Sequence, residues 1–126
     1  GGDPEPASEG AGPPVGLISP LRDRRTLQQV RQQGRRGRSG PVSVRLVEAP
    51  GTGRCRVALS VTRRTGNAVT RNRIRRRLRA GLAELDRQGS LPEVAMVVSG
   101  DGRGGDVAFP DLVDHIDRAV TRARAS

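Results

Sequence analysis

Arginine is the residue type in this sequence with the clearest capacity for chemistry, and it is concentrated in one stretch. Arg63 to Arg79 reads RRTGNAVTRNRIRRRLR and contains eight arginines and no carboxylate. Asp and Glu are absent from Ala49 through Ala83. A guanidinium group pairs two oxygens of one phosphate, and each phosphate neutralised releases a condensed counterion. The stretch therefore predicts a nucleic-acid-binding surface, which we favour over a merely solvated basic face.

The same stretch predicts a helix that would hold these groups in a row. Gly66-Asn67 is typical of a turn followed by a helix start, with the asparagine as the N-cap. Apolar residues then recur at three- and four-residue steps: Ile74, Leu78, Gly81, Leu82 and Leu85. The opposite side of that helix carries Asn72, Arg73, Arg76 and Arg79. We expect one face to pack on a core while the other presents guanidinium groups.

No set of side chains in this sequence predicts a self-sufficient active site. His115 is the only histidine, and the spacing supplies neither a nucleophile nor a metal partner for it. Asp111, Asp114 and Asp117 recur at three-residue steps, which favours a solvated helix face over a metal site. The segment 100–105 fits G-x-G-x-x-G, but neither a strand after the next helix nor a ribose-binding acid follows it. We therefore expect those glycines to form a loop.

The single cysteine, Cys55, alternates with Val57, Leu59 and Val61, which predicts a buried strand position. It cannot form an internal disulfide, which suits a reducing compartment. The longest apolar run, Val94 to Val98, is too short to cross a membrane, and no secretory segment precedes it. We expect a cytoplasmic protein with no membrane association.

The overall charge points to a polyanionic partner. The chain has 126 residues, a net charge of +10 and a pI near 11.7, and every basic residue is arginine. Phe109 is the only aromatic residue, so stacking on aromatic rings is not expected to be the main mode of recognition.

The order of predicted elements indicates an α+β fold. Residues 1–16 are rich in Gly and Pro and predict a disordered acidic tail, which leaves residues 17–126 as a single domain. A short helix in 17–34, capped by Asp23 or Ser19-Pro20, ends at Gly34, and 34–40 predicts a flexible basic loop for phosphate contact. A hairpin of strands 42–46 and 54–62 follows, turning at Pro50 to Gly53. Next come the arginine helix, a buried strand at 93–99 and a helix at 109–123 capped by Asp111. This order predicts a two-layer sandwich of a small mixed sheet and about three helices.

The segment Thr65 to Arg76, TGNAVTRNRIRR, resembles the signature of the bacterial ribonuclease P protein subunit. That signature is Gly-Asn-Ala-Val, one residue, Arg-Asn-Arg, then Ile and two basic residues. The resemblance implies the accessory protein of a ribonucleoprotein endonuclease that removes the 5′ leader from precursor tRNA. It implies a catalytic RNA subunit as partner, Mg²⁺ held mainly by that RNA, no catalytic residue in this chain and no obligate protein partner. It also implies one further short strand, which the sequence does not place.

The resemblance assigns residues to two surfaces. The implied RNA-docking residues are Arg63, Arg64, Asn67, Arg71, Asn72, Arg73, Arg75, Arg76 and Arg79. The implied leader-binding residues are Leu27 and Arg31 on the first helix and Val42 and Arg45 on the first strand of the hairpin. Strand alternation adds Arg56 and Ser60, on a sheet face that suits an extended nucleic-acid strand or is merely solvated. The family often has aromatic residues in that cleft, where this chain has Leu27, Arg31, Val42 and Arg45.

Two other classes remain open at this point. A ribosomal-type or duplex-DNA-binding protein would use the same arginine face without belonging to an enzyme complex. An independent nuclease would cleave RNA without an RNA subunit, which the lack of a catalytic constellation disfavours.

Overall fold

A mixed five-stranded sheet organises the computed structural model, which describes residues 18–126. The strands are β1 (Ile18–Pro20), β2 (Arg35–Ser39), β3 (Val42–Glu48), β4 (Cys55–Ser60) and β5 (Val94–Gly100). The helices are α1 (Arg24–Gln33), α2 (Ala68–Arg87) and α3 (Phe109–Ala125). The predicted α+β class is confirmed. The predicted tail lies outside the described residues.

The strands lie in the spatial order β1-β4-β5-β3-β2. β4 is parallel to β1 and β5, and α2 makes the crossover between β4 and β5. β3 is antiparallel to β5 on one side and to β2 on the other. The predicted hairpin of the third and fourth strands is therefore wrong, because β5 lies between them. The turn at Gly51 and Gly53 does form, and the Glu93 carboxylate accepts hydrogen bonds from both of their N–H groups at 3.2 and 2.7 Å.

Residues 35–39, predicted to lie in a flexible loop, form the edge strand β2. Gly37 pairs with Val44, and α3 lies directly over it. A Cβ at position 37 would come within 2.1 Å of the Ala119 carbonyl oxygen, so only glycine permits this approach. Glycine and arginine have little intrinsic preference for strands. Pairing with β3 and cover by α3 override that local signal.

Most of the core lies between one face of the sheet and helices α2 and α3. Cys55 is buried there, as predicted, and burial raises the pKa of its thiol to about 12. Phe109, the first residue of α3, is 38% exposed. The N-cap of α3 is Ala108, without a side-chain bond, so the predicted Asp111 cap is wrong.

α1 covers part of the opposite face of the sheet. Its buried Val30 packs with Leu21 and Ala95, and Leu27 contacts this second cluster. Asp23 caps the helix, since its carboxylate accepts a hydrogen bond from the Thr26 N–H at 3.1 Å. Hydrogen bonds from Thr26 lower the pKa of that carboxyl. The sheet is thus covered fully on one side and only partly on the other.

Candidate nucleic-acid interface

The arginine helix, α2, has the two faces that its sequence predicts. The Thr70 N–H donates to the Asn67 side-chain oxygen at 2.9 Å, which confirms Asn67 as the N-cap. The apolar stripe is buried as expected: Ile74, Leu78, Gly81, Leu82 and Leu85. At Gly81 the helix passes so close to α3 that a Cβ would lie 2.6 Å from the Ile116 methyl group. This packing fixes which side of α2 faces outward.

The outward side of α2 as far as Arg79, together with the turn before it, forms a basic surface that has no carboxylate among residues 63–79. Its exposed members are Arg63, Arg64, Asn67, Asn72, Arg73, Arg76 and Arg79, while Arg71 and Arg75 are half-buried. Within residues 18–126, the ion pairs of the structure involve other arginines, and none joins the arginines of 63–79 to a carboxylate. Among residues 18–126, therefore, no carboxylate competes with an external anion for these guanidinium groups. We refer to this set of nine residues as the arginine face.

Some arginines of α2 hold the protein together. Arg77 donates from both terminal nitrogens, to the Gly104 carbonyl at 2.8 Å and to the Val107 carbonyl. Arg73 donates from Nε to the Gly105 carbonyl at 2.9 Å. Arg75 donates to Asn72 at 3.1 Å and to the Val61 carbonyl at 3.3 Å. Arg77 therefore ties α2 to the segment before α3, a role that helical periodicity does not reveal.

That segment is the glycine-rich 100–105. It continues from β5 into a short 3-10 turn, Gly102–Gly105, in which Gly104 and Gly105 are buried against α2. The prediction of a loop is supported. Among residues 18–126, no group of three or more His, Cys, Asp or Glu side chains is placed to hold a metal ion, and Asp111, Asp114 and Asp117 are exposed. His115 instead contacts Ser39, with Nδ1 2.8 Å from the hydroxyl oxygen, and helps to join α3 to β2.

A second basic feature lies on the sheet face that α1 leaves open. Ser43, Ser99 and Ser60 are cross-strand neighbours on β3, β5 and β4 and form a small polar row. Arginines surround this row and help to line a concavity of about 670 Å³: Arg31, Arg36, Arg38 and Arg45. Arg45 donates to the Arg31 carbonyl at 2.7 Å, which joins the end of α1 to β3. We call this feature the sheet concavity.

The structure brings three of the residues assigned to leader binding to the sheet concavity: Arg31, Arg45 and Ser60. Leu27 lies on the side of α1 that packs on the sheet, and it borders a separate recess with Arg31. Arg56 is half-buried outside the concavity. The assignment of Val42 to leader binding is wrong, because Val42 points into the main core and is fully buried. Period-two alternation puts Ser43 and Arg45 on the open face, so Val42 and Arg45 cannot share it.

Sequence reasoning missed Arg36, Arg38, Ser43 and Ser99 as lining residues. The two arginines were hidden by the expectation of a loop over 34–40, although they alternate with Gly37 and Ser39 as strand residues do. Ser43 and Ser99 could not be predicted as lining residues without knowing that β3 and β4 both pair with β5.

The fold and these two surfaces define a small α+β protein with exposed arginine on its helical side and on the open face of its sheet. Residues 19–124 match the family model described as Ribonuclease P. The chain belongs to this family and is similar to bacterial ribonuclease P protein subunits. The ribonuclease P protein component of Thermus aquaticus is 33% identical over 116 residues, covering 90% of this chain and 67% of that protein. The Gluconacetobacter diazotrophicus component is 33% identical over 104 residues, covering 82% of this chain and 89% of that protein.

Solved structures share the fold. The RNase P protein from Thermotoga maritima has a TM-score of 0.68 at 19% identity, covering 86% of this chain and 97% of that one. The Staphylococcus aureus RNase P protein has a TM-score of 0.66 at 17% identity, covering 81% and 92%. No helix among the described residues is both long and apolar enough to span a membrane. The family is that of the protein subunit of an endoribonuclease, as the signature at 65–76 implies.

Proposed function

We propose that this protein binds the catalytic RNA of ribonuclease P through the arginine face and guides the single-stranded 5′ leader of precursor tRNA through the sheet concavity. The observation that carries the first part is the arginine face itself, which has no carboxylate partner within residues 18–126. Arginines three and four residues apart on a helix repel each other by a few tenths of a kcal/mol per pair. A phosphate backbone lying on α2 would remove that repulsion.

The sheet concavity supports the second part of the proposal. Its floor is flat because the side chains of Ser43, Ser60 and Ser99 are short, and guanidinium groups border it. An extended strand of RNA can lie on such a floor with its phosphates near Arg36 and Arg45. Contact with the backbone and with arginine planes would replace stacking on aromatic rings.

Cleavage chemistry in this proposal belongs to Mg²⁺ held mainly by the RNA subunit. The described residues of the protein contribute binding and orientation in this proposal. No group of three or more His, Cys, Asp or Glu side chains among them is placed to hold a metal ion, and His115 joins α3 to β2 through Ser39. We further propose a cytoplasmic location, where precursor tRNA is matured.

The RNA-docking role is tested with a pair of exposed arginines. We expect Arg76→Gln with Arg79→Gln to weaken binding to a bacterial ribonuclease P RNA. The slope of log K against log salt should become shallower by about 0.7–0.9 for each phosphate that the variant no longer neutralises. Arg54→Gln with Arg118→Gln is the matched control, because it removes the same charge from exposed positions on a turn and on α3. If the two double variants show the same affinity and slope, the docking role assigned to α2 is wrong.

The leader role is tested by placing a negative charge in the sheet concavity. Ser99→Asp should raise KM for precursor tRNA with a long single-stranded leader in the reconstituted enzyme at low Mg²⁺. A precursor with a one-nucleotide leader serves as control and should be cleaved as by the wild type. An equal effect on both substrates would contradict leader binding at this site, and so would no effect on either.

A further inference from the structure

The only aromatic side chain of the protein is exposed beside the arginine face. Phe109 begins α3 and is 38% exposed, whereas Leu112 and Ile116, one and two turns later, are fully buried. Burying a phenylalanine is worth roughly 1.5–3 kcal/mol, and this ring forgoes part of that stabilisation. Part of the Phe109 side chain is therefore available to a ligand that covers it.

The surroundings of Phe109 specify the chemistry of that partner. Together with Phe109, one strip of α2 lines a recess of about 380 Å³: Arg73, Arg76, Arg77 and Ala80. These four positions lie at helical spacings of three and four residues, so they face the start of α3 together. Ala80 has the only short side chain of the strip, and it leaves open space between the ring and the guanidinium groups.

The donors of the recess are only partly used by the protein. Arg77 commits both terminal nitrogens to backbone carbonyls, and Arg73 commits only Nε. The terminal nitrogens of Arg73 and the guanidinium of Arg76 make no hydrogen bond to any other residue of 18–126. The recess thus pairs one aromatic face with unused cationic donors.

That combination fits a nucleotide better than the alternatives. A duplex backbone would use the arginines but would not need the ring, and an apolar peptide would use the ring but would meet unpaired charge. A nucleobase offers a flat face for Phe109 and for guanidinium planes, and its own phosphate offers oxygens to Arg73 or Arg76. A volume of about 380 Å³ lies at the low end of ligand pockets, roughly 300–1,000 Å³.

We propose that Phe109, Arg73, Arg76 and Ala80 form a binding site for one unstacked nucleotide of the RNA that lies on α2, with Arg77 fixed in its wall by its bonds to backbone carbonyls. This site rests on the proposed docking of RNA on the arginine face and adds a base contact to it. It is separate from the sheet concavity, because α2 and α3 cover one face of the sheet and the concavity opens on the other. The nucleotide therefore belongs to the docked RNA and not to the leader.

Substitutions at two positions test the site by equilibrium binding to a ribonuclease P RNA. Phe109→Leu keeps an apolar side chain but removes the ring, and it should weaken binding about 5- to 150-fold, which is about 1–3 kcal/mol per stacked base. Phe109→Trp should bind within about twofold of wild type, since indole stacks at least as well. Ala80→Leu should also weaken binding by filling the recess, whereas Ala83→Leu, its matched control at an exposed position of α2 outside the recess, should not. Leucine is a good helix former, so position 80 tolerates it.

Fluorescence reports the contact directly. The protein has no tryptophan or tyrosine, so Phe109→Trp carries the sole tryptophan. Its emission should be quenched on titration with the RNA and should saturate at one RNA per protein. Bound RNA without quenching would overturn the proposal, and so would wild-type affinity for Phe109→Leu with its fold intact by circular dichroism.

Salt dependence separates this site from the docking role. Phe109→Leu removes no charge, so its salt slope should equal that of the wild type. If the Arg76 and Arg79 double variant weakens binding while Phe109→Leu does not, the nucleotide site alone is refuted. If neither variant has an effect, RNA docking on α2 is refuted as well.

Discussion

The same substitution at two adjacent arginines of α2 should affect protein stability at one position and RNA binding at the other. Arg77 donates to the carbonyls of Gly104 and Val107, whereas Arg76 is exposed and donates to no other residue of 18–126. We expect Arg77→Met to lower the free energy of unfolding and to leave the salt slope of RNA binding unchanged. Arg76→Met should leave the free energy of unfolding nearly unchanged and should make the salt slope of RNA binding shallower. Methionine keeps an unbranched apolar stem at both positions, so the contrast isolates the guanidinium group.

The magnitude for Arg77 follows from its two bonds. A hydrogen bond to a charged group contributes about 1.5–3 kcal/mol, so two at the lower end give about 3 kcal/mol. Water reaches this half-buried site, and the substitution relieves repulsion from Arg73 one turn away, worth a few tenths of a kcal/mol. The net loss should be roughly 2 kcal/mol, which lowers the Tm of a domain of this size by about 8 °C or more. Arg76→Met should stay within about 0.5 kcal/mol of wild type.

Urea unfolding followed by circular dichroism measures the first effect, and RNA binding at several salt concentrations measures the second. Equal stability of the two variants would show that the division of α2 into fold-holding and RNA-facing arginines is wrong. A shallower salt slope for Arg77→Met, measured well below its Tm, would show that Arg77 neutralises an RNA phosphate, which would also contradict this division.

Two further predictions concern groups whose environments the structure defines. Asn67→Ala should lose about 0.5–2 kcal/mol of stability because the Thr70 N–H loses its hydrogen-bond acceptor, whereas Asn67→Asp should retain most of the cap's contribution. Urea unfolding midpoints of the two variants measure the difference, and equal midpoints would contradict the capping role of Asn67. The thiol of Cys55 has its pKa raised to about 12 by burial, so its contribution to stability should be constant below about pH 8.5 and should be lost as pH rises from there toward 12, where only the unfolded chain ionises. Cys55→Ala should remove that part of the pH dependence, and rapid labelling of the native thiol by an alkylating reagent near pH 8 would contradict the buried position.

Local sequence determined the elements with strong periodicity. The stripe from Ile74 to Leu85 and the cap at Asn67 are set within a few residues, because helix formation depends on neighbours three and four positions apart. The same applies to Asp23 at the start of α1 and to the unbroken apolar run of β5. The exposed side of α2 followed from its buried side, so most of the arginine face could be predicted.

The pairing of distant segments could not be predicted from local sequence patterns. The edge strand β2 forms although its residues favour strands little, since Gly37 allows α3 to lie on it. The insertion of β5 between β3 and β4 creates the row of Ser43, Ser99 and Ser60, whose members are far apart in the chain. The side of β3 that Val42 occupies, by contrast, follows from its alternation with Ser43 and Arg45 in the sequence.

The sequence by itself determined that this protein has a helix with arginines along its outward side and carries the ribonuclease P signature. Only the tertiary structure decided which arginines are available, because the carbonyls that engage Arg73 and Arg77 come from the segment before α3. It also decided that Phe109 stands beside those arginines instead of in the core. The physical reason is that charge and periodicity are properties of one segment, whereas hydrogen-bond partners and recesses arise where segments meet.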